Sequence, residues 1–271
     1  MNKTVAKNEK TCYNLYAQND ARALISPGGK EAEKMLLYVV RHGDPIYSPD
    51  QLTPKGMRQA EALSRRFAYS GLDKVFVSPL NRARQTAQPT CELLKITPQV
   101  EEWTSEATAW EEFAFHDPDR NGAMNWTFHI QSDRYKTSEI LALGDKWYTA
   151  WPFCEVRCKE GYERIMRESD LFMAKLGYER DGLRYRVVSP NDMHVAVFCH
   201  QGFGTTWLSH LLGIPPVLFW STFDLNHSSV TVIRFANNKD GWCAPKCIAL
   251  SDTSHLFADR QPLEFCNEFK Y

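Results

Sequence analysis

Residues 36–43 read Leu36-Leu37-Tyr38-Val39-Val40-Arg41-His42-Gly43, five apolar residues running straight into an arginine, a histidine and a glycine. A short, unbroken apolar run is what a strand buried on both faces of a parallel sheet requires. In open α/β sheets the ligand sits beyond the carboxyl ends of the strands. The basic pair and the glycine therefore stand where such a sheet would bind something.

Working outward, Thr53-Pro54 offers an N-cap and a first-turn proline. Met57, Ala60, Leu63, Ser64 and Phe67 then share one helical face, and Gly71 closes the helix. Lys74 to Val77 reads as a second strand, and Ser78-Pro79 repeats the cap-plus-proline start for a helix carrying Arg82, Arg84 and Thr86. Pro89 is expected to end or kink that helix, with a second short helix restarting there. Residues 99–103 read as a third, weaker strand. From about 104 to 153 the pattern dissolves into aromatic and polar residues, with one helix predicted over Ser138 to Trp151.

A long amphipathic helix from about Glu155 to Leu176 follows, ended by Gly177. Val195 to Cys199 is the clearest buried strand, and His200 leads into a helix ending at Leu212-Gly213. Ser229 to Phe235 alternates as a strand, and Cys247 to Leu250 is another candidate. This order predicts an α/β fold, a three-layer α/β/α sandwich with a mainly parallel central sheet and helices on both faces. Residues 35–271 would form that domain, with a helical and loop cap inserted at about 104–153. Residues 1–34, polar and broken by Pro27-Gly28-Gly29, read as an N-terminal extension.

The chain has 271 residues, enough for a full core without disulfide support. Its 43% hydrophobic and 24% charged residues are ordinary for a soluble protein, and a net charge of −1 gives no global field for nucleic acid or anionic lipid. No run approaches the ~18 apolar residues of a membrane span, and the first residues lack a signal-peptide core. The pairs Cys154/Cys158 and Cys243/Cys247 have a spacing unlike a zinc knuckle's, so reduced cytoplasmic thiols and no metal or cofactor are expected. Neither nucleic acid nor a membrane is an expected partner, and a homodimer is the one assembly considered.

His42, the stretch Ser78 to Arg82, and His200 each follow an apolar strand at once, so all three should reach one edge of the sheet. Histidines and arginines converging there suit a phosphoryl group, which brings close to two negative charges and three acceptor oxygens. Arg41 and Arg82 would grip it bidentately, and amides at the start of the helix after Pro79 would add a weaker pull. A histidine among arginines has its charged form disfavoured, which leaves a neutral imidazole to attack phosphorus. The product is a phosphohistidine that water cleaves later. Taken singly, each of these residues has an ordinary structural explanation; their joint placement is what points to chemistry.

The sequence resembles the histidine phosphatase superfamily, the phosphoglycerate mutase-like group, in its branch 1. The matching stretches are Val40-Arg41-His42-Gly43, Leu52-Thr53-Pro54-Lys55-Gly56 with Gln59-Ala60, Ser78 to Ala87, and Phe198-Cys199-His200-Gln201-Gly202, in the family's order over roughly 36–235. The resemblance implies that His42 is the phosphorylated nucleophile and that Arg41, Arg82 and His200 hold the phosphoryl oxygens and stabilise the transition state. It also implies a glutamate that protonates the leaving group. Residues 100–107 depart from the family's usual pattern here; Glu106 matches best as proton donor and Glu102 second. Such an acid has to be kept protonated by burial or by the incoming phosphate charge.

Gln201 stands where the family usually has glycine, and the turn-filling reading is favoured over substrate contact. The loop Asp44 to Gln51 is only eight residues, shorter than in the mutases, which favours a phosphatase. Five of the eight tryptophans, Trp103, Trp110, Trp126, Trp147 and Trp151, fall between 103 and 151, in and beside the inserted segment. Most of these rings are expected to pack the cap, with at least one of Trp110, Phe115 and Trp126 lining the pocket mouth. The leading expectation is a metal-independent phosphatase acting on a small phosphomonoester. The alternatives are a mutase-like phosphotransferase and a phosphate-binding module without turnover.

Overall fold

The computed structural model describes residues 33–263. Its central sheet holds six strands: β1 (Lys34–Arg41), β2 (Lys74–Val77), β3 (Gln99–Val100), β4 (His194–Cys199), β5 (Val230–Ala236) and β6 (Lys246–Asp252), in the order β6-β5-β1-β4-β2-β3. β1, β4, β2 and β3 pair in parallel, whereas β5 runs antiparallel to both of its neighbours, β1 and β6. The expected extension over 1–34 lies outside the described residues except for its last two, and Lys34 already belongs to β1.

Successive residues of a strand face opposite sides, and β1 divides its apolar run accordingly. Tyr38 and Val40 join Leu63, Phe67, Ala83 and Ala87 of helices α1 (Pro54–Ser70) and α2 (Asn81–Leu94). Leu37 and Val39 face the other layer, where α4 (Cys158–Lys175) and α5 (Gln201–Leu212) supply Phe172, Met173, Phe203 and Trp207. The chain is thus a three-layer α/β/α sandwich. The second layer continues into residues 104–153, which contain α3 (Glu106–Phe113), the hairpin Ala114–Asp117/Ala123–Trp126 and several short turns.

Several local expectations change. Met57 is exposed, and Gln59 takes a buried place on α1 because its amide oxygen accepts from Asp44 N–H at 2.8 Å. The helix after Ser78-Pro79 starts at Asn81, and Pro89 sits inside it without ending it. The carbonyl that Pro89 frees belongs to Gln85, which is only half-buried and so within reach of water. The weak third strand shrinks to Gln99–Val100, because residues 102–104 coil into a 3₁₀ turn. The helix predicted to reach Trp151 stops at Ala142, where Gly144 turns the chain at φ +51°. An unpredicted hairpin, Tyr178–Asp181/Arg184–Val187, pairs with Trp242–Cys243.

The sheet's pairing fixes the site. His42 N–H donates to Cys199 O at 2.9 Å, Ser78 N–H to Phe198 O at 2.9 Å, and Ser228 N–H to His42 O at 3.0 Å. The segments following β1, β2 and β4, and the one preceding β5, therefore meet at one edge. No helix among the described residues is long and apolar enough to cross a membrane.

Candidate active site

The turn after β1 is held tightly. Gly43 N–H donates to Thr86 Oγ1 at 2.9 Å, and Thr53 Oγ1 caps α1 by accepting from Gly56 N–H at 3.0 Å while donating to Asp44 Oδ2 at 2.7 Å. A Cβ at Gly56 would come within 2.2 Å of the Asp44 backbone oxygen, so only glycine lets the two segments approach this closely. This packing fixes the backbone on either side of His42.

The His42 ring is buried, and its Nδ1 lies 2.7 Å from Gly43 O. A carbonyl only accepts, so Nδ1 carries the proton and Nε2 keeps its lone pair. Nε2 has no hydrogen-bond partner among the described residues. Burial first, then His200, Arg41 and Arg82, hold the His42 pKa well below the usual histidine value. His200 is fully buried with its ring centroid 5.2 Å from that of His42, and burial followed by Arg82 and Arg41 lowers its pKa as well. Its Nε2 lies 2.7 Å from Ser78 Oγ. When Ser78 donates there, the ring proton sits on Nδ1.

Arg82 donates from Nη1 to Asp50 Oδ1 at 2.8 Å and from Nη2 to Glu106 Oε2 at 3.1 Å. Asp50 comes from the short hairpin Pro45–Tyr47/Asp50–Leu52, into which the eight-residue loop folds. Glu106, the first residue of α3, lies with Oε2 3.6 Å from His200 Nδ1, and its Oε1 accepts from Gly202 N–H at 2.8 Å. Glu102 is exposed in the preceding turn. Glu101 instead accepts from the Trp103 indole, and Glu112 pairs with Arg164 at 2.7 Å. Of the acidic residues between 101 and 112, Glu106 is thus the one brought to the two histidines.

One ligand atom from each of His42, Glu106 and His200 lies within 4.8 Å of the others, the one such trio that could hold a metal among the described residues. The guanidinium groups that disfavour protonation of both rings also repel a dication, so the set suits an anion better. The cysteine pairs join no such trio.

A cavity of about 930 Å³ opens over this floor, lined by Arg41, Arg82, Glu106 and, further out, Tyr47, Trp110, Met124, Trp126 and His129. Trp110 and Trp126 meet edge to face at 4.8 Å. Phe115 is buried against Trp151 instead, so two of the three candidate rings reach the cavity. Gln201, the first residue of α5, also lines it and donates to Asp224. His227, unmarked in the sequence, lines it too. The signal for His227 was its place just ahead of a strand, which becomes informative only once that strand is known to run antiparallel.

Residues 37–142 match a family model described as the histidine phosphatase superfamily (branch 1). The chain is 26% identical over 227 residues to the adenosylcobalamin/alpha-ribazole phosphatase of Salmonella typhi, covering 77% of this chain and 98% of that protein. It is 24% identical over 223 residues to the protein of the same name from Escherichia coli K12, covering 76% and 97%. Among solved structures, phosphoserine phosphatase from Entamoeba histolytica in complex with 3-phosphoglyceric acid shares the fold, with a TM-score of 0.54 at 18% identity over 82% of this chain and 99% of that one.

Proposed function

We propose that this chain, whose residues 37–142 match the branch 1 model of the histidine phosphatase superfamily, is a member of that superfamily and hydrolyses a small-molecule phosphomonoester, without a metal, by passing the phosphoryl group through His42. The observation that carries this reading is the tautomer of His42. Its Nδ1–H is committed to Gly43 O, which leaves a neutral, unpartnered Nε2 among Arg41, Arg82, His200 and Glu106.

In the first step Nε2 forms a bond to phosphorus, the ester P–O bond breaks, and the Glu106 carboxyl gives its proton to the departing oxygen. Arg41, Arg82 and His200 hold the remaining phosphoryl oxygens as charge shifts onto them. In the second step water attacks phosphorus, Glu106 takes the water proton, the P–N bond breaks and inorganic phosphate leaves. A mutase must retain its phosphorylated intermediate, whereas the open cavity above this site admits water freely. The curated relatives act on adenosylcobalamin or alpha-ribazole compounds by name. A ring-bearing leaving group also fits the aromatic outer wall here. Free thiols at Cys91, Cys154, Cys158, Cys199, Cys243 and Cys247 suit a reducing, cytoplasmic compartment.

Turnover of a panel of phosphomonoesters with and without chelator tests the reading, together with rapid acid-free quenching to trap the phosphoenzyme. Expected are free phosphate as product, full activity in chelator, and a phosphoryl group on His42 that is labile to acid and stable to base. A metal requirement, or transfer to a second position of the same substrate, would overturn it. Replacing Trp110 and Trp126 together by alanine will raise KM for ring-bearing substrates by about tenfold or more, while short phosphoesters change little. An equal response from every substrate would show that the rings only pack the cap.

A further inference from the structure

The loop ahead of β5 brings a third imidazole to the phosphate site. His227 is buried, with Nε2 2.8 Å from Arg41 Nη2 and Nδ1 3.5 Å from Asp44 Oδ1. Its ring centroid lies 5.7 Å from that of His42. A guanidinium only donates, so Nε2 must accept from Arg41, and the one proton of the neutral ring sits on Nδ1, towards the Asp44 carboxylate. Burial, then Arg41 and Lys55, push the His227 pKa down to about 2, which keeps Nε2 an acceptor at any working pH. The same loop takes the other end of the fork, since Arg41 Nη1 donates to Leu225 O.

The loop itself is firmly anchored. Asn226 N–H donates to Ser251 Oγ at 2.8 Å, and Ser228 adopts a left-handed φ of +58° with its hydroxyl 3.0 Å from His255 Nε2. Leu225 and His227 therefore present two fixed acceptors to Arg41, with the Asp44 carboxylate 3.5 Å from the far nitrogen of the imidazole.

Resting on the phosphohistidine reading, we propose that His227 is a positioning residue whose Nε2 orients the Arg41 guanidinium for the transferred phosphoryl group. His227 need not touch the substrate. Its loss acts by letting the guanidinium swing, and small misplacements of a phosphate-binding group are costly in rate.

The test compares His227→Phe, which keeps the ring volume without an acceptor, with His227→Gln, whose amide can accept from Arg41 and donate to Asp44. His227→Phe is expected to lower kcat/KM by about 10- to 100-fold, the range for losing a hydrogen bond to a charged group, and to weaken competitive inhibition by inorganic phosphate in step. His227→Gln is expected to recover most of that loss. In a double-mutant cycle, Arg41→Lys should make the effect of His227→Phe much smaller, because the two residues act as one unit. Equal losses in the Phe and Gln variants at unchanged Tm, or strict additivity with Arg41→Lys, would overturn the proposal. Absence of phosphohistidine in the wild-type enzyme sinks the mechanism itself. A trapped phosphohistidine with undiminished turnover in both variants sinks only the role of His227.

Discussion

Replacing His42 by alanine will lower kcat by about four orders of magnitude or more and abolish the trapped phosphoenzyme. The size follows from what remains. Arg41, Arg82 and His200 still bind a phosphate dianion, so inorganic phosphate should inhibit the variant at a concentration close to that for wild type. Only direct attack by water is left, without the histidine whose free Nε2 stands in the cationic site. Glu106→Gln separates the proton from the nucleophile. It should cost about 10²- to 10⁴-fold with an alkyl phosphate but far less with p-nitrophenyl phosphate, whose leaving group departs as an anion. A His42→Ala enzyme keeping more than about a hundredth of wild-type kcat, with its phosphate affinity intact, would require another nucleophile.

The second large effect concerns acid. His42, His129, His200 and His227 all have pKa values lowered in the folded protein, His129 to about 3 and His227 to about 2, with burial the leading cause in each. In the unfolded chain each returns to about 6.5. As pH falls through that value the unfolded state takes up protons that the native state refuses, so stability is complete above about pH 6.5 and drains away below it. Each ring contributes about 1.4 kcal/mol per pH unit in that window, and four together about 5.6 kcal/mol per unit. Typical domains hold only about 5–15 kcal/mol in all. The protein should therefore unfold with a midpoint near pH 5, seen as a change in tryptophan fluorescence and a steep fall in Tm from pH 7 downward. A Tm that stayed flat between pH 7 and 5 would mean these rings are protonated in the native state.

The sequence shows burial far better than it shows direction. Leu36 to Val40 announces β1 because a run buried on both faces needs every residue apolar. Ser229 to Phe235 announces a strand equally well, but its alternation is the same whichever way the strand runs. Only the antiparallel pairing with β1 brings residues ahead of Val230 to the phosphate edge, and so His227 was invisible beforehand. Arg41, Arg82 and His200 were legible because motifs and strand ends both marked them. Glu106 came from spacing, and the structure separates it from Glu102 by placing one at the histidines and the other in solvent. Asp50, Thr86 and Ser78 act only through contacts between segments far apart in the chain, which no local pattern encodes. The helix expected over Ser138 to Trp151 broke because its periodicity could not register the turn at Gly144.

Residues 104–153 are wired into the rest of the domain by ring contacts that cross between the two. Phe128 stacks on Trp220 with centroids 5.0 Å apart, and Trp147 meets the same Trp220 at 5.3 Å, although Trp220 comes from a helix beyond α5. On the reading that Trp110 and Trp126 receive the substrate, its selection is therefore not a detachable module. Transplanting residues 104–153 onto a related scaffold would carry Trp110 and Trp126 across but leave behind the surface on which their neighbours rest. An exchange of specificity between such enzymes has to move Trp220 and its helix along with the cap, or it delivers the right rings on a floor that no longer supports them.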